Sequence, residues 1–357
     1  MVSNGAPRRG ICVFATSIEA MAQAAADADA AGFDAVWTSE LYNRSATITV
    51  AACATATSRC ALGTGILYGV GRSPLMLAAE ARDLDELSHG RFVLGIGNGT
   101  RRMISDWHGL DGDAPATRME ELVPLIRRIW RLHEGPVKHE GRFYRLKIAA
   151  LDDLAGPPVR DIPIYTAAVN PRMIESAGRV ADGLLGHTLF SPVYIEEVVR
   201  PALQRGADHA GRDAGEVKLA TYALAACSAD EEQARRDAAS MIAFYGSVKS
   251  YGVLFEAVGF GAEAKAIQAA FAARDVEGMV GAVTDAMVDA LAVAGTPEQV
   301  ADKLRRFDGV VDEVVLSVPS FRTSPERVAE NLALLTAHCG PGASSPGTPR
   351  RSGAARP

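Results

Sequence analysis

Gly95, Gly97 and Gly99 alternate with single residues at the end of an apolar run, in the stretch GRFVLGIGNGTRR from 90 to 102. A backbone without Cβ atoms can approach a ligand closely, which opens two chemistries: a pyrophosphate held in a turn, or a flat ring system laid against the chain. A dinucleotide fold needs a helix to open directly after the glycines, so that its free amides meet the pyrophosphate. Here Thr100 stands at the third glycine position, and RRMISDWHGLDGDAPA follows, broken by Gly109, Gly112 and Pro115. The next helix is expected near Thr117, where Thr117-Arg118-Met119-Glu120 has capping-box spacing. The glycines therefore read either as a platform for a ring or as a plain tight strand exit.

Other reactive residues point to less. Cys12, Cys53, Cys60, Cys227 and Cys339 are odd in number and lack CxxC spacing, so neither a disulfide framework nor a zinc site is expected. Among the seven histidines, His133 and His139 flank a segment without carboxylates at metal-ligand spacing, and no metal is expected. His108, beside Trp107, reads as a cover for a pocket or as an exposed loop residue.

The chain has 357 residues, 48% hydrophobic and 22% charged, as expected of a globular protein with ample core. A net charge of −6 without a long basic run outside the tail leaves nothing to neutralise phosphates, which excludes nucleic-acid binding. The opening MVSNGAPRRGICVFATS has too short an apolar stretch for an export signal, and no later run is long enough to span a bilayer. A soluble, cytoplasmic protein with no membrane partner is expected.

Positioning these residues requires regular elements. Ser73-Pro74, Asn170-Pro171, Ser191-Pro192, Thr296-Pro297 and Ser324-Pro325 each join a capping side chain to a proline suited to the first helical position, and each predicts a helix start. Short apolar runs alternate with these helices: GICVFA, FDAVWTS, ALGTGIL, FVLGIGNG, IPIYTAAV, GLLGHTL, VKLATYALAA and DEVVLSVP. Nearly continuous hydrophobicity is what parallel strands buried on both faces require, and eight such strands predict a (β/α)₈ TIM barrel. The glycine stretch then ends the fourth strand, at the rim where active sites of this fold assemble. Stretches 134–160 and 246–285 break the repeat and read as insertions on loops within one domain, 1–339. The Gly-, Pro-, Ser- and Arg-rich segment from Gly340 to Pro357 is expected to be a disordered tail.

Four segments, GFDAVWTSELYNR, GTGILYGVGRSP, LDELSHGRFVLGIGNG and IPIYTAAVNPRMIESAGRVADG, resemble the luciferase-like superfamily in order and spacing. Within it they resemble the coenzyme F-420-dependent methylenetetrahydromethanopterin reductases. The resemblance implies a non-prolyl cis peptide at Gly65-Ile66, leading into Leu67, as a bulge that supports a deazaflavin ring; such a bond costs about 3–4 kcal/mol. It further implies that Asn98 and Gly99 hydrogen-bond the heterocycle and that Ala168, Val169 and Asn170 line its other side. The helix opened by Asn170-Pro171 would receive a cofactor phosphate or be capped only by Asn170. Gly186 and His187 are expected at the same rim.

Two departures bear on chemistry. The reductases commonly carry an Asp-His pair after the second strand, where this chain has Glu40-Leu41, so the carboxylate survives and the imidazole is lost. Their Thr-Asn-Pro-Tyr stretch is Leu67-Tyr68-Gly69-Val70 here, although Arg72 and Pro74 match, so the substrate is expected to differ from a pterin. The resemblance implies hydride transfer between F-420 and a small organic substrate, with Glu40 as acid or orienting carboxylate, and His187 as the next candidate. Glu40 paired with a surface cation is the competing reading. An FMN-dependent monooxygenase using reduced flavin and O2 is the alternative function, and a non-catalytic flavin-binding protein a third. Relatives pair through barrel helices, so a homodimer is expected.

Overall fold

The computed structural model describes residues 5–151, 156–158 and 160–341. Its strands are β1 (Arg8–Cys12), β2 (Ala35–Thr38), β3 (Ala61–Thr64), β4 (Leu67–Tyr68), β5 (Phe92–Gly97), β6 (Val137–Glu140), β7 (Arg145–Ile148), β8 (Ile164–Ala167), β9 (Gly183–Gly186), β10 (Lys218–Cys227), β11 (Ala292–Gly295) and β12 (Glu313–Ser317). Parallel pairing runs β1, β2, β3, β5, β8, β9, β10, β12 and back to β1, closing a (β/α)₈ TIM barrel. Each of the eight apolar runs supplies one of these strands. The Ala-rich β11 has no β-branched run to announce it, and pairs with the far half of β10, Leu224 to Cys227.

Strand alternation divides the core in two. Ala35 and Trp37 pack inside the barrel with Cys12, Leu185, Ala220 and Val315, whereas Val36 between them joins the layer under the helices. The Trp37 ring has room because Gly63 lacks a Cβ, which would collide with it, and its Nε1 donates to Glu313 Oε1 at 2.7 Å. This pair plugs the barrel, so the opposite rim has a floor.

All five predicted Ser/Thr/Asn-Pro starts are used. Ser73, Asn170, Ser191, Thr296 and Ser324 accept from the amides of Met76, Met173, Tyr194, Gln299 and Arg327, each with proline in the first turn. Two other expectations are corrected. A helix does open after the glycines: Thr100 caps Arg101–His108, and Gly109, in the left-handed region at φ 63°, ends it rather than preventing it. The next helix, Pro115–Trp130, starts two residues before the Thr117 capping box, behind Ala114 at φ 48° with no side-chain cap. The proline's fixed φ outcompetes the Thr117 signal. The glycine stretch still cannot be a dinucleotide turn, because its strand belongs to a closed barrel and not to an open doubly wound sheet.

The stretch 134–160 contains the β6–β7 hairpin, held by Glu121, whose carboxylate accepts from the Phe143 and Tyr144 amides and His139 Nε2. Residues 152–155 and 159 lie outside the described residues. The stretch 246–285, read as an insertion, contains Lys249–Tyr251, Gly252–Glu256, Gly261–Ala272 and Val276–Gly281 as short helices. Their Leu254, Phe255, Ala264, Ile267 and Met279 are buried, so apolar helical spacing decides the conformation. Most of the expected tail, 342–357, lies outside the described residues. Among the described residues no helix is long and apolar enough to cross a membrane.

Candidate active site

A cavity of about 470 Å³ opens at the C-terminal ends of the barrel strands. That volume suits a drug-sized ligand, and that rim is where barrel enzymes carry their chemistry. A larger recess of about 860 Å³, around Arg127, Arg131, Pro163 and Asp182, lies at the N-terminal ends of β8 and β9, where the fold serves stability. The rim cavity is bordered by Glu40 after β2, Gly65 and Ile66 after β3, Asn98 and Gly99 after β5, Ala168 to Asn170 after β8, and Gly186 and His187 at β9. One expected residue is missing from this wall. Leu67 points into the helix-side core, because Ile66 and Tyr68, its neighbours along the strand, take the cavity face.

The bulge after β3 is formed without an isomerised bond. The described residues contain no cis peptide, so the Gly65-Ile66 expectation is corrected. The strand is interrupted at these two residues and resumes as β4, paired with Ile96 and Gly97 of β5. The Gly65 amide donates to Thr38 O at 2.5 Å and its carbonyl accepts from Tyr222 Oη at 3.4 Å, so trans geometry satisfies both polar groups without the cost of a cis bond.

The glycines serve packing more than the ligand. A Cβ on Gly97 would strike Ile66 Cδ1, so the space left by the missing Cβ is taken by isoleucine, which presents an apolar surface to the cavity. Gly99 stands at φ 64°, and a Cβ there would meet Tyr68 Cε1 at 3.0 Å. Between them Asn98 donates through Nδ2 to Pro115 O at 3.1 Å, while Oδ1 is buried with no hydrogen-bond partner among the described residues. An orphaned buried acceptor costs about 1–3 kcal/mol unless a ligand satisfies it.

Glu40 is buried at 9% exposure and is paired, though not at the surface. Arg72 Nη1 and Nη2 donate to its two oxygens, each at 2.6 Å, and the Tyr68 amide donates to Oε1 at 3.3 Å. This fork holds the guanidinium above its usual pKa, and burial raises Glu80, whose Oε2 lies 3.2 Å from Arg72 Nε. This two-pronged geometry suits a carboxylate that is held in place and orients its surroundings.

His187 accepts from the Leu189 amide through Nδ1 at 3.2 Å, so Nε2 bears the proton. Burial lowers its pKa to about 3, which keeps the ring neutral at physiological pH. Its ring centroid lies 4.6 Å from that of Tyr245 and 4.4 Å from that of Tyr251. His108 packs against Tyr68 at 5.3 Å and does not border the cavity, although Trp107 stacks edge-on with exposed Tyr42 nearby. Among the described residues no three His, Cys, Asp or Glu are placed to hold a metal.

With this geometry in place, the match to known families is decisive: the luciferase-like monooxygenase family description covers residues 4–312. The chain belongs to that family. As a luciferase-like protein it is an oxidoreductase. It is 32% identical over 296 residues to the 5,10-methylenetetrahydromethanopterin reductase of Methanolobus tindarius, covering 82% of this chain and 88% of the relative. The solved coenzyme F420-dependent tetrahydromethanopterin reductase of Methanopyrus kandleri superposes with a TM-score of 0.77 at 27% identity, over 93% of this chain and 98% of that one. The oxygenating component of 3,6-diketocamphane monooxygenase of Pseudomonas putida, solved with FMN, shares the fold at a TM-score of 0.66 and 18% identity, over 94% and 98% of the two chains.

Reading the luciferase-like sequence alone misses the tyrosines. Tyr222, Tyr245 and Tyr251 all border the cavity, the first from inside β10, the second from the end of the helix Glu231–Gly246 and the third from the stretch 246–285. Tyr222 carried a signal, as a hydroxyl within the apolar run VKLATYALAA. Tyr245 and Tyr251 carried none, because nothing in AFYGSVKSYG says which way that segment folds.

Proposed function

We propose that the chain moves a hydride between coenzyme F-420 and a small organic substrate. The observation that carries this reading is a largely apolar cavity at the C-terminal ends of the barrel strands, with Ile66 presenting an apolar surface and Asn98 at its border. A deazaflavin or flavin fits such a wall, having an apolar face to lie on Ile66 and a polar edge to set beside Asn98. When bound, F-420 supplies a ring carbon that gives or takes a hydride.

The protein's own part is positioning. Ile66 would back the ring, Asn98 would fix its edge, and Ala168 and Val169 would limit its other side. The helix Pro171–Val180 points its N-terminus, the positive end of its dipole, at the rim, a place suited to an anionic cofactor tail. The clamped Glu40 carboxylate holds Arg72 and the Tyr68 amide, fixing the wall between β2 and β4. Leu41, where the reductases commonly have histidine, removes an imidazole relay and speaks for a substrate other than a pterin.

The reductase relatives favour F-420 over FMN, and parallel equilibrium titration with both oxidised cofactors tests the choice. F-420 is expected to bind with a Kd of about 1 µM or lower (roughly −8 kcal/mol), and FMN more weakly. Preference for FMN, with oxygen-dependent oxidation of a substrate by the reduced form, would overturn the proposal in favour of a monooxygenase.

A further inference from the structure

Tyr245, Tyr251 and His187 form a triangle of rings on one side of the cavity, with Tyr245 and Tyr251 5.9 Å apart and each packed against the imidazole. All three border the cavity. Neither tyrosine hydroxyl nor His187 Nε2 makes a hydrogen bond to protein among the described residues, and none of the three atoms is sealed from the cavity. Polar groups this deep carry a desolvation cost unless something pairs with them. The tyrosines come from the end of helix Glu231–Gly246 and the turn Lys249–Tyr251, outside the eight strand exits. Phe244, next to Tyr245, packs on Phe321 beyond β12 at 5.1 Å, which ties this wall to the barrel rim.

We infer that Tyr245, Tyr251 and His187 Nε2–H form a specificity corner that recognises an uncharged substrate through a hydrogen-bond-accepting oxygen, such as a carbonyl or hydroxyl. Three neutral donors border this side of the cavity. Burial lowers the His187 pKa and raises both tyrosines, so the corner presents no charge to a ligand at neutral pH. Glu40 and Arg72 satisfy each other on the opposite wall, and Arg101, also at the cavity border, pairs with Asp113 at 2.9 Å. A carboxylate or ammonium entering this corner would lose hydration without gaining a counter-charge. A neutral oxygen would accept from one or two of the donors while its apolar body packs on the rings.

This inference rests on reading the cavity as the site shared by a ring cofactor and a substrate, and the experiment separates the two. The whole protein is first titrated with F-420 and FMN. It is then titrated by calorimetry with acetophenone, benzoate and benzylamine, matched aromatic probes that are neutral, anionic and cationic, both without cofactor and when saturated with whichever cofactor binds. Acetophenone is expected to bind at least ten-fold more tightly than either charged probe and to shift the His187 Nε2 resonance in ¹⁵N spectra. Tyr245→Phe and Tyr251→Phe keep the ring packing, so each should weaken acetophenone five- to ten-fold while leaving thermal unfolding and cofactor affinity within two-fold of the parent. Failure of acetophenone to bind, tighter binding of benzoate or benzylamine, or unchanged acetophenone affinity in both phenylalanine variants overturns the inference. Loss of cofactor binding in the parent bears on the proposed function alone, because the probe titrations without cofactor still report on the corner.

Discussion

A carboxylate's surroundings decide what it can do, and Glu40 illustrates this. Its place after the second strand was visible in SELYNR, but the partner that occupies it lies 32 residues further on. Bringing Arg72 into a two-pronged clamp at low exposure makes the pair a structural unit. Removing one partner strands the other in a poorly hydrated place, which costs about 3–5 kcal/mol for a fully buried pair and less here, where Arg72 keeps 21% exposure. Glu40→Gln is therefore expected to lower unfolding stability by about 2–3 kcal/mol. The double variant with Arg72→Met should cost little more than the worse single change. Urea unfolding of the three variants checks this; additive losses would mean that the two residues are not coupled.

At the scale of elements, capping chemistry was readable because it is local. A Ser, Thr or Asn before proline meets its own helix amide within three residues, so no distant contact is needed. The end of β5 was harder. Its glycines looked like open space for a ligand, yet the space beside Gly97 belongs to Ile66 from a different strand, and the direction of the Gly99 Cβ leads to Tyr68. Gly99→Val would therefore report backbone strain at positive φ, since a β-branched residue tolerates that region badly. Ile66→Ala isolates the platform. It is expected to weaken F-420 binding roughly ten-fold, as loss of a well-packed apolar contact of ~1.4 kcal/mol would, while leaving the strand pairing intact. Cofactor titration beside thermal unfolding measures both; undiminished affinity in a folded Ile66→Ala protein would remove Ile66 from the ring site.

For the whole molecule, barrel closure brings β12 beside β1 and places Glu313 under Trp37, 276 residues away in sequence. Burial outweighs the pull of Arg8 at 3.6 Å and pushes the Glu313 carboxyl above its usual range. The folded chain thus keeps this proton at pH values where the unfolded chain has lost it. Its contribution to stability is complete below the unfolded glutamate pKa of about 4.3 and is lost as pH rises through the folded value. Glu313→Gln retains an oxygen to accept from Trp37 and removes the ionisation. The variant should match the parent near pH 4 and exceed it in unfolding free energy at pH 8. Denaturant titrations at both pH values decide; an equal offset at the two would show that the carboxyl's ionisation does not govern the difference.

The fold class was legible in the chain because a parallel barrel writes its signature locally: eight short apolar runs alternate with helices, and four of the runs lead directly to a Ser-Pro or Asn-Pro helix start. The family resemblance added the rim residues from Gly65 to His187, and all of them but Leu67 converge on one cavity. What each does there was decided by contacts across the barrel. Periodicity assigned no partner to Glu40, no occupant to the space beside Gly97 and no direction to Tyr245 and Tyr251, because those depend on side chains from other strands or from a segment outside the repeat. Local spacing determines which elements form. Only closure of the barrel determines which of their side chains share a dry space, and hence which polar atoms are left for a ligand to satisfy.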